Sequence, residues 1–176
     1  MVRSGRSHRL AGLLEVSELV LRPVDYGHPD VAALEQQVQQ EYHRRYGGGD
    51  ATVMHPEHFA PPAGLFLLLR VDEVATAMGG WRARDADGAY LRDGDAEIKR
   101  MYVVPLAQRR GYARTLLAEL ERTAAAAGRQ RMVLETGVLQ PEAIALYTSS
   151  GYTEMGEFGL YAGAESSRCY AKVLTG

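Results

Sequence analysis

The stretch "AEIKRMYVVPLAQRRGYARTLLAELE", residues 96–121, contains the strongest structural signals of the sequence. Its first nine residues are rich in apolar, β-branched and aromatic side chains and predict a strand that ends before Pro105. From Ala113 onward apolar residues recur at helical spacing, and Gly128 predicts the end of the helix. Between strand and helix stands "QRRGYA", residues 108–113, a compact group of small and cationic residues whose presence at this junction needs a physical reason.

An anion site at the start of the helix is one such reason. The first four backbone N–H groups of a helix lack intrahelical acceptors and the helix dipole is positive there, so a bound anion gains several hydrogen bonds. Gly111 and Ala113 allow a phosphate to approach the backbone. Positive charge comes from Arg109, Arg110 and Arg114. The stretch therefore predicts a pyrophosphate cradle, and a solvated surface turn is the alternative that so short a motif leaves open.

The composition is that of one globular domain. With 176 residues, 46% hydrophobic and 24% charged, the chain can bury a core and stay soluble. A formal net charge of -2 gives no overall reason to bind nucleic acid or an anionic membrane, and no apolar stretch approaches the ~20 residues of a membrane helix. The single cysteine, Cys169, forms no intrachain disulfide. We expect a cytoplasmic domain at residues 18–176 after an N-terminal tail of uncertain order at residues 1–17.

The remaining pattern predicts a mixed sheet rather than a fully parallel one, because strand and helix alternate mainly in the second half. Helices are predicted from Asp30 to the glycines at 47–49, after Pro105, and from Pro141 to Gly151. A tight turn is predicted near Asp72 and Glu73. Strands are predicted at residues 19–25, 65–71, 74–83, 96–104, 131–136, 152–161 and 167–174.

Four stretches in order carry a family resemblance. They are the opening stretch, "LETG" at 134–137, "QPEAIALYTSSGY" at 140–152 and "CYAKVL" at 169–174. Together they resemble the GNAT superfamily of acyl-CoA-dependent N-acetyltransferases, and "QRRGYA" is similar to that family's R/Q-x-x-G-x-G/A coenzyme A loop. The resemblance implies that the loop binds the coenzyme pyrophosphate through Gln108, Arg109, Arg110, Gly111, Tyr112, Ala113 and Arg114.

The resemblance also implies an architecture. It is an α/β (α+β) fold with a mixed, mostly antiparallel central sheet of about six to seven strands, flanked by helices. Two parallel central strands, containing residues 98–104 and 131–136, would splay apart and leave the backbone of Met101, Tyr102 and Val103 to pair with the pantetheine arm. Gln140 stands where the family commonly has Asn, which keeps an amide of longer reach for the coenzyme.

Two residues are candidates for the chemistry. Attack of an amine on a thioester makes an oxyanion and expels a thiolate, so a protonated tyrosine suits the site. Tyr147 matches the family's Tyr and is the candidate general acid, while packing beside Ile144 is the structural alternative. Glu97 resembles the catalytic glutamate of the histone-acetylating branch and is the candidate base, while pairing with Lys99 or Arg100 is its alternative.

The expected activity is direct transfer from acetyl-CoA to a small-molecule amine in a ternary complex, without a metal. In this family the first helix borders the acceptor site, so Arg44 or Arg45 is expected to bind an acceptor carboxylate. His55 and His58 flank Pro56 without a clear third ligand and are interpreted as loop residues. The alternatives are a protein lysine or N-terminal acetyltransferase and a non-catalytic acyl-CoA-binding regulatory domain. A homodimer is compatible with either.

Overall fold

The computed structural model describes residues 17–175 and contains seven strands and three α-helices in that range. The strands are β1 Leu19–Pro23, β2 Gly64–Val71, β3 Val74–Arg84, β4 Asp95–Val103, β5 Arg131–Gly137, β6 Thr153–Met155 and β7 Ser167–Val173. The helices are α1 Pro29–Tyr46, α2 Tyr112–Ala126 and α3 Pro141–Ser149. Residues 1–16 of the expected tail lie outside the described residues.

The strands form one mixed sheet in the order β1-β2-β3-β4-β5-β7-β6. Every neighbouring pair is antiparallel except β4 and β5, which are parallel and central. Their pairing ends at Glu97 opposite Val133, although β4 continues to Val103 and β5 to Gly137. The two strands therefore splay apart beyond this point, and the fold class predicted from the sequence is confirmed.

A β-bulge in β4 lies just past the point where the strands separate. Met78 faces Tyr102 and Gly80 faces Lys99, so two residues of β4 occupy the space opposite one residue of β3. Arg100 takes the strained position, with φ of 56°. A bulge re-aims a side chain and ends regular pairing, which is the local cause of the irregular edge in the splayed region.

Helices cover both faces of the sheet. The α2 face buries Leu116, Leu117 and Leu120 against Trp81 and Met132. The α1 face has its own core, which consists of Val31, Leu34, Val38, Phe59, Phe66, Leu68 and Met78. Helices therefore pack on both faces of the sheet. The gap where β4 and β5 separate lies between these two faces.

The strand predicted for residues 152–161 is wrong beyond Met155. Gly156 lies against the ring of Tyr90, where a Cβ would come within 2.2 Å of the ring, and the chain leaves the sheet edge there. Phe158 is buried in a small cluster with Val133 and Cys169. Its apolar character reflects this loop anchor rather than a strand.

Candidate active site

Two cavities lie at the splay and share a wall. The first, here called the long groove, has a volume of about 730 Å³ and runs along the end of β4, residues 105–114 and α3. The second, here called the small cavity, has a volume of about 200 Å³ and lies on the α1 side between β4, β5 and the loops at 48–50 and 161–167. The lining residues common to both are Tyr42, Met101, Gln140, Ala143 and Tyr147.

The junction loop presents a row of free backbone donors to the long groove. Arg109 and Gly111 both adopt left-handed conformations, with φ of 63° and 85°. Within residues 17–175, the N–H groups of residues 109–114 find no acceptor. Six consecutive free N–H groups at a helix start fit a pyrophosphate, because such groups together with the helix dipole bind anions.

The arginines of the loop divide into two kinds. Arg114 donates to the hydroxyls of Ser149 at 2.9 Å and Ser150 at 3.2 Å, and so ties α2 to α3. Arg109 and Arg110 are exposed and make no ion pair or hydrogen bond with any described residue. Arg109 and Arg110 remain available to bind a phosphate, whereas Arg114 stabilises the wall of the groove.

The end of β4 offers a second binding element. Past Glu97 the strand has no partner on its β5 side, so the backbone of Met101–Val103 borders the long groove. The side-chain amide of Gln108 donates to the carbonyl of Val103 at 3.3 Å. An unpaired strand edge suits a ligand that carries amides, as pantetheine does.

We expect Gly111→Val to weaken binding of coenzyme A by about 5- to 150-fold while the fold is retained. A Cβ at this position meets no protein atom within 4 Å, so the cost lies in the left-handed backbone, with φ of 85°, and in a side chain that projects toward the bound phosphate. Calorimetric titration with coenzyme A measures the change. Unchanged affinity in a folded variant would contradict the cradle assignment.

Tyr147 lies where the two cavities meet. Its hydroxyl donates to the sulfur of Met101 at 3.8 Å, and its ring packs edge-on against Tyr152. The residue is 6% exposed, and burial raises its pKa above the ordinary tyrosine value, so the hydroxyl is protonated at neutral pH. The ring is a core residue and the hydroxyl is a donor at the cavity wall, so the two sequence alternatives are compatible.

Gln140 is placed by a tyrosine of α1. Its side-chain amide lies 3.4 Å from the hydroxyl of Tyr46, which also accepts from the N–H of Leu139 at 3.2 Å. Gly137 permits this approach, since a Cβ there would come within 1.9 Å of that hydroxyl. Tyr46 thereby joins the end of α1 to the loop before α3.

Sequence reasoning did not single out Tyr42, which the structure places beside Tyr147. Tyr42 lines both cavities, and burial raises the pKa of its phenol. Among the described residues its hydroxyl has no hydrogen-bond partner. It is therefore a second protonated donor at the junction. Only its helical spacing, one turn before Tyr46, relates it to the site in the sequence.

Glu135, also not singled out, is one of two carboxylates that line the small cavity; the other, Asp50, pairs with Arg100. Oε1 of Glu135 accepts from the hydroxyl of Ser167 at 2.8 Å, and no cation among the described residues forms an ion pair with Glu135. Burial raises the pKa of this carboxyl above the ordinary value, although the hydrogen bond from Ser167 opposes the change. An accessible carboxylate with a raised pKa is suited to take a proton.

Glu97 lies in a different environment. Its carboxylate is 1% exposed, with ion pairs to Lys99 at 2.9 Å, Arg82 at 2.8 Å and Arg84 at 2.6 Å. Burial disfavours its charge, but the three cations outweigh burial and lower the pKa. Among the described residues it lines neither cavity. Its role as a base stays a prediction, and the geometry adds the role of a counter-ion.

We expect Glu97→Gln to reduce stability by about 3–5 kcal/mol, because it leaves three cations around an uncharged group. The folded pKa lies below the unfolded one, so this stabilisation is present above the unfolded pKa near ~4.3 and is lost as pH falls through the folded value. Urea unfolding at pH 7 and at lower pH measures both effects. If instead the variant's pH–rate profile shifts to alkaline pH, Glu97 is the base.

The structure places Arg44 and Arg45 away from the small cavity. Arg45 pairs with Glu41 at 2.6 Å and with Glu142 at 2.5 Å, and it donates to the carbonyl of Leu139 at 2.7 Å. It lines the long groove, where it joins α1 to α3. Arg44 is mostly exposed and pairs with Glu41. Neither side chain lines the small cavity that contains Glu135. Their role in acceptor binding stays a prediction.

Two negative findings concern the part of the chain that the structure describes. Within residues 17–175 no three His, Cys, Asp or Glu side chains are grouped so that they could hold a metal ion. His55 and His58 belong to a short 3₁₀ segment, where a ring nitrogen of His58 accepts from the N–H of His55 at 3.3 Å. None of the helices in the same range has the length and apolar character of a membrane span.

Comparison with known proteins identifies the family of the chain. The profile of the acetyltransferase (GNAT) family matches residues 32–152. An IAA acetyltransferase of Azospirillum brasilense is 39% identical over 102 residues, which are 58% of this chain and 63% of that protein. The chain therefore belongs to the acetyltransferase (GNAT) family, a family of acyltransferase enzymes. The family resemblance drawn from the sequence is confirmed.

Solved structures share the fold at low sequence identity. A Klebsiella pneumoniae protein assigned as an acyl-CoA N-acyltransferase superposes with a TM-score of 0.72 at 24% identity, covering 89% of this chain and 98% of that one. A GNAT-family acetyltransferase of Staphylococcus aureus superposes with a TM-score of 0.66 at 14% identity, covering 89% of this chain and 100% of that one.

Proposed function

We propose that this protein transfers an acetyl group from acetyl-CoA to the primary amine of a small molecule, directly and in a ternary complex. The observation that carries the proposal is the meeting of the long groove and the small cavity at Tyr147. A donor bound in one cavity and an acceptor bound in the other would reach the same tyrosine hydroxyl. Such proximity is the main requirement of a direct transfer.

The long groove suits acetyl-CoA, which supplies an activated thioester when bound. The fit rests on the free N–H groups of residues 109–114 and on the unpaired edge of β4. The residues assigned to the coenzyme are Met101, Tyr102, Val103, Gln108, Arg109, Arg110, Gly111, Tyr112, Ala113, Arg114 and Gln140. All of them border the groove except the exposed Arg110, which adjoins it.

The side chains at the junction divide the chemistry among them. Glu135 takes a proton from the acceptor ammonium, and the freed lone pair forms the new C–N bond as the C–S bond breaks. Tyr147 donates its hydroxyl hydrogen to the departing sulfur, which otherwise leaves as a thiolate, and the second proton that the nitrogen loses as the amide forms restores the tyrosine hydroxyl. Tyr42 provides a donor for the developing oxyanion. Glu97 is the alternative base. Because it does not line the small cavity, the proton would reach it by another route.

The size of the small cavity favours a small acceptor over a peptide. Its volume of about 200 Å³ equals roughly six or seven water volumes. A peptide lysine would enter with only its side chain, so transfer to proteins is the second candidate. The relative from Azospirillum brasilense carries the name IAA acetyltransferase. A cytoplasmic location and a homodimer stay predictions.

A thiol-release assay with acetyl-CoA and a panel of amines tests the proposal. The panel contains amino acids, alkylamines, lysine-containing peptides and peptides with a free N-terminus. We expect steady release with at least one small amine at a rate well above that with any peptide. A preference for peptides would support a protein acetyltransferase. Tight coenzyme binding without turnover on any acceptor would support a regulatory domain.

A further inference from the structure

We propose that the acceptor is an α-amino acid, with its ammonium held by Glu135 and its carboxylate held by Lys99. The inference rests on the proposed function, since it names the class of amine that occupies the small cavity. The proposal is based on two side chains of opposite charge, Lys99 and Glu135, which both line the small cavity but form no ion pair with each other. A ligand that carries both charges would form an ion pair with each of these side chains.

The sheet register places Lys99 and Glu135 across the opening between β4 and β5. Glu97 faces Val133 in the last paired position of the two parallel strands. Lys99 and Glu135 each follow by two residues, so they lie on the same face as that last pair. In a regular sheet the strands would be about 4.8 Å apart, and the two side chains would meet. Here the strands splay, both residues line the small cavity, and no ion pair joins them.

Lys99 shares its carboxylate partner with two other cations. Lys99, Arg82 and Arg84 all pair with the single carboxylate of Glu97. Asp87 is 3.5 Å from Arg84, but its side chain is 76% exposed and screened by water. Three cations therefore share one buried carboxylate, and of these three Lys99 lines the small cavity. The one ion pair of Lys99 is with a carboxylate that it shares, so a ligand carboxylate would give it a partner of its own.

Arg100, the other cation that lines the small cavity, already pairs with two carboxylates. Its guanidinium pairs with Glu35 at 2.7 Å and with Asp50, and it donates to the carbonyl of Thr52 at 3.1 Å. Because two carboxylates and a backbone carbonyl already surround the group, Arg100 is a poor anchor for a further carboxylate. This leaves Lys99 as the cation of the cavity that can gain from one.

Glu135 has a free oxygen for the ammonium. Oε1 is occupied by Ser167, whereas Oε2 accepts no hydrogen bond from the described residues. The amine and the carboxylate of an α-amino acid are separated by one carbon, a spacing that suits two side chains on neighbouring strands. The rings of Tyr42, Tyr46 and Tyr161 also line the cavity and would surround the side chain of the amino acid.

The test compares amino acids with the amines that lack only the carboxylate. The pairs are alanine with ethylamine, valine with 2-methylpropylamine, and leucine with 3-methylbutylamine, each assayed with acetyl-CoA. In the parent enzyme we expect kcat/KM to be about 10- to 150-fold higher for the amino acid of the best pair, which is the range of a charged hydrogen bond. Lys99→Met should reduce that ratio to about one, whatever change it makes to kcat/KM for the plain amine.

Acetylation of the plain amine by Lys99→Met shows that the variant is folded and still transfers the acetyl group. Arg122→Met, which removes an exposed cation from α2, is the matched control and should keep the parent ratio. A parent enzyme that prefers the plain amines, or a Lys99→Met variant that loses both activities equally, overturns the inference but not the proposed function. Absence of transfer to every small amine contradicts the proposed function itself.

Discussion

Glu135→Gln is expected to lower kcat with the best amine by about 10²–10⁴-fold, which is the range of a general base. The substitution keeps the size of the side chain and an oxygen for Ser167, but it removes the group that takes the proton from the ammonium. Coenzyme A binding should be unaffected, because Glu135 does not line the long groove. Steady-state thiol release and calorimetry on the same preparation measure the two quantities.

The pH profile makes this prediction more specific. The base works only as a carboxylate, so kcat/KM should fall as pH drops through its pKa. Burial raises that pKa, which places the acidic limb above the ordinary glutamate value near ~4.3. The limb should be absent in Glu135→Gln. The groups that face Glu135 and influence the pH of this limb are Asp50, Glu97, Lys99, Tyr161 and Ser167.

Glu165→Gln is a suitable control for the loss of a carboxylate, because it changes an exposed residue of the loop before β7. It should retain both the parent rate and the acidic limb. If Glu135→Gln keeps the limb and Glu97→Gln loses it, the base is Glu97. The two variants together assign the proton acceptor.

Tyr147→Phe is expected to lower kcat by up to about 10²–10⁴-fold, with the dissociation constant of acetyl-CoA nearly unchanged. The ring and its packing against Tyr152 remain, and the donor at the junction is lost. The decrease is smaller if the sulfur leaves well as a thiolate, since a comparable cysteine thiol has a pKa near ~8.5. Thiol release and calorimetry separate chemistry from binding.

Tyr170→Phe removes a hydroxyl from another buried tyrosine of the same core and is the matched control. It should have parent activity. Full activity in Tyr147→Phe would remove this hydroxyl from the mechanism. Parallel loss of activity and coenzyme binding would make Tyr147 a packing residue only.

The local elements of the fold could be predicted because their signals lie within a few residues. Gly128 follows α2 with φ of 81°, as its position at the end of the apolar pattern indicated. Asp72 and Glu73 both have positive φ and form the predicted tight turn between β2 and β3. The splayed strands came from the family resemblance, since no spacing rule indicates where two distant strands stop pairing.

The small cavity could not be predicted in the same way, because it is formed by contacts between distant parts of the chain. Tyr161 bonds to the carboxylate of Asp50 at 3.1 Å and to the N–H of Ala51, 110 positions earlier. Tyr161 and Asp50 both line the small cavity, and Tyr161 belongs to a segment that the sequence pattern assigned to a strand. The charge partners of Glu97 come from β3 as well as β4, so its burial was also invisible to local spacing.

The most direct test of transfer to a small acceptor is product analysis with the parent enzyme, acetyl-CoA and the best small amine. We expect one N-acetylated amine for each thiol released, over many turnovers per enzyme molecule, with a rate that saturates in both substrates as a ternary complex requires. Mass spectrometry identifies the product and shows whether the protein itself carries an acetyl group. Coenzyme binding without this product, or acetyl groups found only on protein lysines, would contradict transfer to a small acceptor at the meeting point of the two cavities.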